Sequence, residues 1–116
     1  MVIKVKTKPV KEIIASAEKS PMPKRVKPML TTLVNKPFDD PDWIFEVKWD
    51  GYRAIAIMNA KSVELQSRND KSFNEKFYPV HEALAKCNLH AVLDGEIVVI
   101  NKTGKSDFGA LQNWRS

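Results

Sequence analysis

Three β-rich runs stand almost end to end in IFEVKWDGYRAIAIMNAKSVELQ, at residues 44–49, 52–58 and 62–67. Gaps this short leave room only for tight turns, and strands joined by tight turns pair antiparallel. Asp50-Gly51 fits the first gap, because a two-residue hairpin turn takes positive φ at its centre. HAVLDGEIVVI, at 90–100, is the strongest strand in the chain. Between these runs, SFNEKFYPVHEALAKC predicts a helix from about Pro79 to Lys86 with proline in its first turn. NKTGKS reads as a turn and DFGALQNW as the start of a further helix. Helices inserted among consecutive strands, rather than alternating with them, predict an α+β fold with a largely antiparallel sheet and a few helices.

The leader before this pattern has a different texture. Residues 1–28 hold eight Lys/Arg against two Glu, whereas the remaining 88 hold eleven against twelve Asp/Glu. The net charge of +5 therefore belongs to the leader. Residues 1–27 read as a basic, flexible leader or linker able to touch phosphates, with a short amphipathic helix open to Val10, Ile13, Ile14 and Ala17 at helical spacing. Residues 28–116 read as one domain or a part of one, entered through the irregular, proline-broken segment KPMLTTLVNKPFDDPDW. No apolar run is long enough to span a membrane, and the basic N-terminus lacks the apolar stretch of a secretion signal. Cys87 is alone, which excludes a disulfide framework and points to a reducing, cytoplasmic setting.

If Asp50-Gly51 is the turn, Lys48 and Arg53 face each other across the pair and project to one side, with Glu46 on that side too. Phe45, Val47, Trp49, Tyr52 and Ala54 then make the opposite, core-facing side. A free lysine is almost wholly ammonium at pH 7; a neighbouring cation and partial burial both favour the neutral, nucleophilic form. The residues alone leave two readings of Lys48 open, an exposed charged turn and a nucleophile.

In AVLDGEIVV the alternation puts Val92, Asp94, Glu96 and Val98 on one face and Leu93, Gly95, Ile97 and Val99 on the other. Carboxylates among β-branched residues need a cation, a metal or hydroxyl donors unless the strand is an edge facing water. Lys48, Arg53 and Arg68 are the protein cations available. Gly95 leaves space for another backbone or a ligand to approach. GKS at 104–106 is no phosphate loop, since Val99 stands where the pattern needs glycine, and His81, Cys87 and His90 lack metal-ligand spacing.

The order of KWDGYR at 48–53, SRND at 67–70 and LDGEIV at 93–98 resembles three successive motifs of ATP-dependent DNA ligases, the first being the K-x-D-G-x-R signature. The flanks, KPMLTTLVNKPFDDPDWIFEVKWDGYRAIA and SDFGALQ, are similar to bacterial ligases of the LigD type. The resemblance covers residues 27–116 and implies the first half of a ligase nucleotidyltransferase (ATP-grasp-like) domain. It implies that Lys48 attacks the α-phosphate of ATP to form a lysine–AMP phosphoramidate, with Glu46 near the adenine. Asp50 and Gly51 would shape the turn, and Arg53 would contact the nucleotide near its ribose. Arg68 would bind phosphate, with the DNA backbone as a candidate source. Glu96 would bind the ribose hydroxyl or act through a metal, Mg²⁺ being the expected ion. The implied partners are nicked or broken double-stranded DNA and DNA end-binding repair proteins, for a monomeric, nucleoid-associated piece of a repair enzyme. Later motifs of the family are not present in these residues, so full ligation by this stretch alone is not expected. The alternatives are an RNA ligase or capping-type nucleotidyltransferase, and a non-catalytic nucleotide- or DNA-binding module.

Overall fold

The computed structural model describes residues 2–4 and 9–115. They form two compact units, one of Met1–Pro21 with Met29–Lys48, the other of Met22–Pro28 with Trp49–Ser116.

In the first unit β1 (Val2–Lys4) runs antiparallel to β2 (Trp43–Phe45), with Ile3 opposite Ile44. Helix α1 (Val10–Ser16) follows Pro9, whose fixed φ suits a helix start. The acidic, proline-flanked stretch before β2 is a turn. Asp40 accepts from the Asp42 amide through Oδ1 at 2.9 Å, and its carbonyl accepts from the Trp43 amide at 3.0 Å. Phe38 then meets the Trp43 ring edge-on, 5.2 Å between centroids.

The second unit is a three-stranded antiparallel sheet in the order β4-β3-β5, with two helices. Its members are β3 (Tyr52–Asn59), β4 (Ser62–Ser67), α2 (Tyr78–Ala85), β5 (Ala91–Ile97) and α3 (Phe108–Gln112). Alternation decides the faces. Tyr52, Ala54, Ala56 and Met58 of β3 share one side with Val63 and Leu65 of β4 and with Ile97 of β5. Phe73 and Phe77, with Val80 and Leu84 one helical turn apart on α2, pack on that side, as do Phe108 and Leu111 from α3. Met58, Leu65 and Leu111 are almost wholly buried, each contributing about 1.5–3 kcal/mol over exposure. The opposite face of β3 is covered too, with Ile55 at 2% and Ile57 at 8% exposure. Asp107 caps α3 by accepting from the Ala110 amide at 2.9 Å.

The hairpin expected at Asp50-Gly51 does not form. β3 has one edge on β4 and the other on β5, so no edge remains for 44–49. Of that run only Ile44 and Phe45 are strand, in β2 paired with β1, and residues 46–50 have no regular structure. Val47 and Trp49, expected in the core, are exposed, as is Phe45. Gly51 is not at positive φ; among the described residues the glycine there is Gly104, in the Asn101–Lys105 turn.

Candidate functional site

The register of β3 against β5 sets Arg53 opposite Glu96 and Ile55 opposite Asp94. Directly opposed residues share a face, so Arg53, Asp94 and Glu96 lie together on the side away from Phe73 and Phe77. The Arg53 guanidinium donates twice to Asp94, from Nε to Oδ1 at 2.9 Å and from Nη2 to Oδ2 at 2.5 Å. This two-pronged geometry is the strongest form a carboxylate–cation pair takes. The hydrogen bond from Arg53 holds the Asp94 carboxyl below its ordinary range, against the opposing effect of burial. The same bond raises the Arg53 pKa, again against burial, and Asp94 and Glu96 charges add to it.

The approach to β3 is fixed by close packing. A Cβ on Gly51 would lie 2.0 Å from the carbonyl oxygen of Ile97 and 2.8 Å from Val98 Cγ1. The chain can cross the end of β5 there only because residue 51 has no side chain. Next to it the Asp50 amide donates to Ser106 Oγ at 3.2 Å. The SRND stretch is a turn organised by Ser67, whose Oγ accepts from the Lys71 amide at 3.0 Å and the Asn69 amide at 3.3 Å. That turn presents Arg68 to solvent, one residue beyond Ser67, which pairs with Ala54. Arg68 thus lies at the end of the sheet where β3 begins, near Arg53.

The expected site residues fall into both units. Glu46 and Lys48 are exposed in the irregular stretch after β2, in the first unit; Asp50, Gly51, Arg53, Arg68 and Glu96 belong to the second. The structure brings Arg53 and Glu96 together, while the expected facing of Lys48 and Arg53 across a hairpin is replaced by the Arg53–Glu96 pairing. Sequence reasoning asked for a cation beside Asp94 and left three candidates; the strand register selects Arg53. Ser67 and Ser106 were missed, although Ser67 with Asn69 and Asp70 close behind it is a turn-forming cluster. Gly95 opens onto space, with no atom within 4 Å of a Cβ built there. It borders a hollow of about 340 Å³ lined chiefly by Ala54, Leu65, Val80, Leu84 and Leu93. That lining suits apolar groups rather than a triphosphate. Among the described residues no three His, Cys, Asp or Glu side chains converge as metal ligands. Glu96 can offer one carboxylate, which fits a Mg²⁺ ion held by one or two protein carboxylates together with substrate phosphates.

An α+β fold with an antiparallel sheet, carrying a guanidinium and two carboxylates on one face, is the class these features define. The same fold is found in the ligase domain of Mycobacterium tuberculosis LigD, 38% identical, with a TM-score of 0.52 over 59% of this chain and 23% of that one. It recurs in a mycobacterial DNA ligase D complexed with ATP and MES, 35% identical, with a TM-score of 0.50 and the same coverage. The chain belongs to the ATP-dependent DNA ligase family: the family described as ATP dependent DNA ligase domain matches residues 21–115. A multifunctional non-homologous end joining protein LigD from Pseudomonas aeruginosa is 39% identical over 99 residues. That alignment takes in 84% of this chain but only 12% of the relative's length.

Proposed function

We infer that this chain is the nucleotide-loading portion of an ATP-dependent DNA ligase, in which Lys48 receives AMP from ATP before the nucleotide passes to a DNA 5′-phosphate at a nick or break. The observation that carries the reading is the meeting of two distant motifs on one sheet face. Arg53 of KWDGYR and Asp94 and Glu96 of LDGEIV, more than forty residues apart in sequence, stand side by side. In the reaction the Lys48 amine attacks the α-phosphorus, the bond to pyrophosphate breaks, and the amine loses a proton. Arg53, held by Asp94, contacts the nucleotide near its ribose, and Glu96 accepts from the ribose hydroxyls. Glu46 lies toward the adenine, Asp50 and Gly51 set the path of the chain, and Arg68 takes a phosphate. Mg²⁺ bound with the triphosphate supplies charge neutralisation for the leaving pyrophosphate.

That relatives carry names of non-homologous end joining proteins supports a parent activity in end joining; on this reading nicked or broken duplex DNA is the substrate of the whole enzyme, with DNA end-binding repair proteins as its partners. A cytoplasmic, nucleoid-associated location goes with that role, and residues 1–27 serve as a basic leader to the domain of residues 28–116. Intact-mass measurement after incubation with ATP and Mg²⁺ tests the reading. One AMP is gained by the wild type, and none by Lys48→Ala or with GTP in place of ATP. An adduct that persists in Lys48→Ala refutes Lys48 as the nucleophile, and no adduct on the wild type refutes self-loading by these 116 residues.

A further inference from the structure

Residues Met22–Pro28 belong to the second unit, not to the segments on either side of them. Their pattern is that of a docked strap. Met22, Val26 and Pro28 are half-buried, while Lys24, Arg25 and Lys27 are exposed. The Gln66 amide, itself buried in β4, donates from Nε2 to the main-chain carbonyl of Lys24 at 3.1 Å. Arg25 reaches Asp70 in the SRND turn at 3.9 Å. The strap therefore lies beside the loop that carries Arg68 and Lys71.

Charge is concentrated at this place. The second unit contains twelve Lys/Arg and eight Asp/Glu; strap and turn together hold five of these cations and one acid, Asp70. The rest of the unit balances at seven of each, so its whole excess charge sits on one ridge. A mere tether would have no reason to seat its apolar residues and turn every cation outward. We propose that Lys24, Arg25, Lys27, Arg68 and Lys71 form a docked ridge that grips the phosphate backbone of duplex DNA. The proposal rests on the ligase reading and specifies where its substrate is held. Duplex DNA carries a phosphate charge every few ångströms, and each phosphate neutralised releases a condensed counterion. Arg25 gives up little on leaving Asp70 for a phosphate, because an exposed ion pair of that length is weak. The strap's anchor survives the exchange, since Gln66 holds Lys24 by its main chain.

The test is fluorescence anisotropy of a labelled nicked duplex with the full chain, across a salt titration. Lys24→Gln, Arg25→Gln and Lys27→Gln combined leave the anchoring carbonyl in place, and circular dichroism checks that the fold is kept. Each phosphate contact adds about 0.9 to the slope of log affinity against log salt, so the triple variant lowers the slope by about two to three. At 0.1 M salt it weakens binding on the order of 100-fold. A control triple, Lys61→Gln, Lys86→Gln and Lys102→Gln, removes the same charge from exposed positions of the second unit outside the ridge and changes the slope by less than about one. Equal losses from the two triples, no loss from the strap triple, or equal affinity of the wild type for duplex RNA or anionic phospholipid vesicles overturns the proposal. A Lys48→Ala chain that takes no AMP yet keeps the wild-type salt slope supports the ridge. Failure of the AMP adduct in the wild type alone counts against self-loading by these 116 residues, not against the ridge.

Discussion

Replacing Gly51 by alanine is the sharpest probe of how this sheet is assembled. The added Cβ would sit 2.0 Å from the Ile97 carbonyl oxygen, 1.0 Å inside the 3.0 Å that real Cβ atoms keep. The obstacle is backbone rather than a side chain able to rotate away, so β3 and β5 must separate at this end. Tyr52 pairs with Ile97 in the first rung of that ladder. Losing one or two backbone hydrogen bonds costs about 0.5–1.5 kcal/mol each. Partly uncovering Ile97, now only 8% exposed, adds on the order of 1 kcal/mol. Against this, alanine reduces the freedom of the unfolded chain by about 0.4–1 kcal/mol. The net expectation is a loss of about 2–3 kcal/mol, or on the order of 10–20 °C in midpoint for a domain of this size. Urea and thermal unfolding followed by circular dichroism measure it. Gly95→Ala is the control, because nothing lies within 4 Å of its Cβ, and it should be neutral or stabilising by up to about 1 kcal/mol. A Gly51→Ala chain within about 0.5 kcal/mol of wild type, or a Gly95→Ala chain that loses as much, would refute the close-approach argument.

Two further outcomes are expected. Asp94 has its folded pKa below the unfolded value, so its pair with Arg53 stabilises the fold above the ordinary carboxylate pKa and ceases to do so as pH falls through the folded one. Asp94→Asn should therefore cost about 1 kcal/mol at pH 7, held low because the Asp94 side chain is 41% exposed, with the gap to wild type narrowing in acid; a pH series of urea melts checks this. Asp107→Ala removes the cap of α3 and should cost about 1 kcal/mol, with Asp107→Ser recovering most of it; the same melts at pH 7 report both variants.

What could be read in advance follows from the range of the interaction concerned. The runs at 52–58 and 62–67, the helix after Pro79, the 101–105 turn and the strand through Asp94 rest on local alternation, on proline or glycine geometry, and on short gaps. All of them stand in the structure. The side of β5 that carries Asp94 and Glu96 was equally legible, because period-two alternation does not depend on which strand lies alongside. The neighbour of β3 was not legible. Asp50-Gly51 offered a local hairpin with 44–49, while β5, about forty residues downstream, offered a ladder seven pairs long from Tyr52–Ile97 to Met58–Ala91. A two-residue turn closes at little entropic cost, but it gains little if the strand it joins finds less to bury. β5 places Ile97 in the same cluster as Ala54, Phe77 and Leu111, whereas Phe45, Val47 and Trp49 stay exposed. The longer-range pairing therefore prevails through burial.

Gly51 shows why the motif misled. Glycine beside a strand is required either for positive φ or for the approach of another backbone, and the letters D-G are the same in both cases. With β5 rather than 44–49 as the partner, the requirement changes from the first to the second. The consequence reaches the site, because the residue opposite Arg53 becomes Glu96 and its guanidinium falls to Asp94. In this chain the glycine of the first motif thus admits the third motif alongside it. A substitution that closes that gap should disturb the Arg53–Asp94 pair without touching either residue. Measuring the Asp94→Asn pH response in the Gly51→Ala background tests the coupling: independent behaviour would mean the crossing at Ile97 does not set the register.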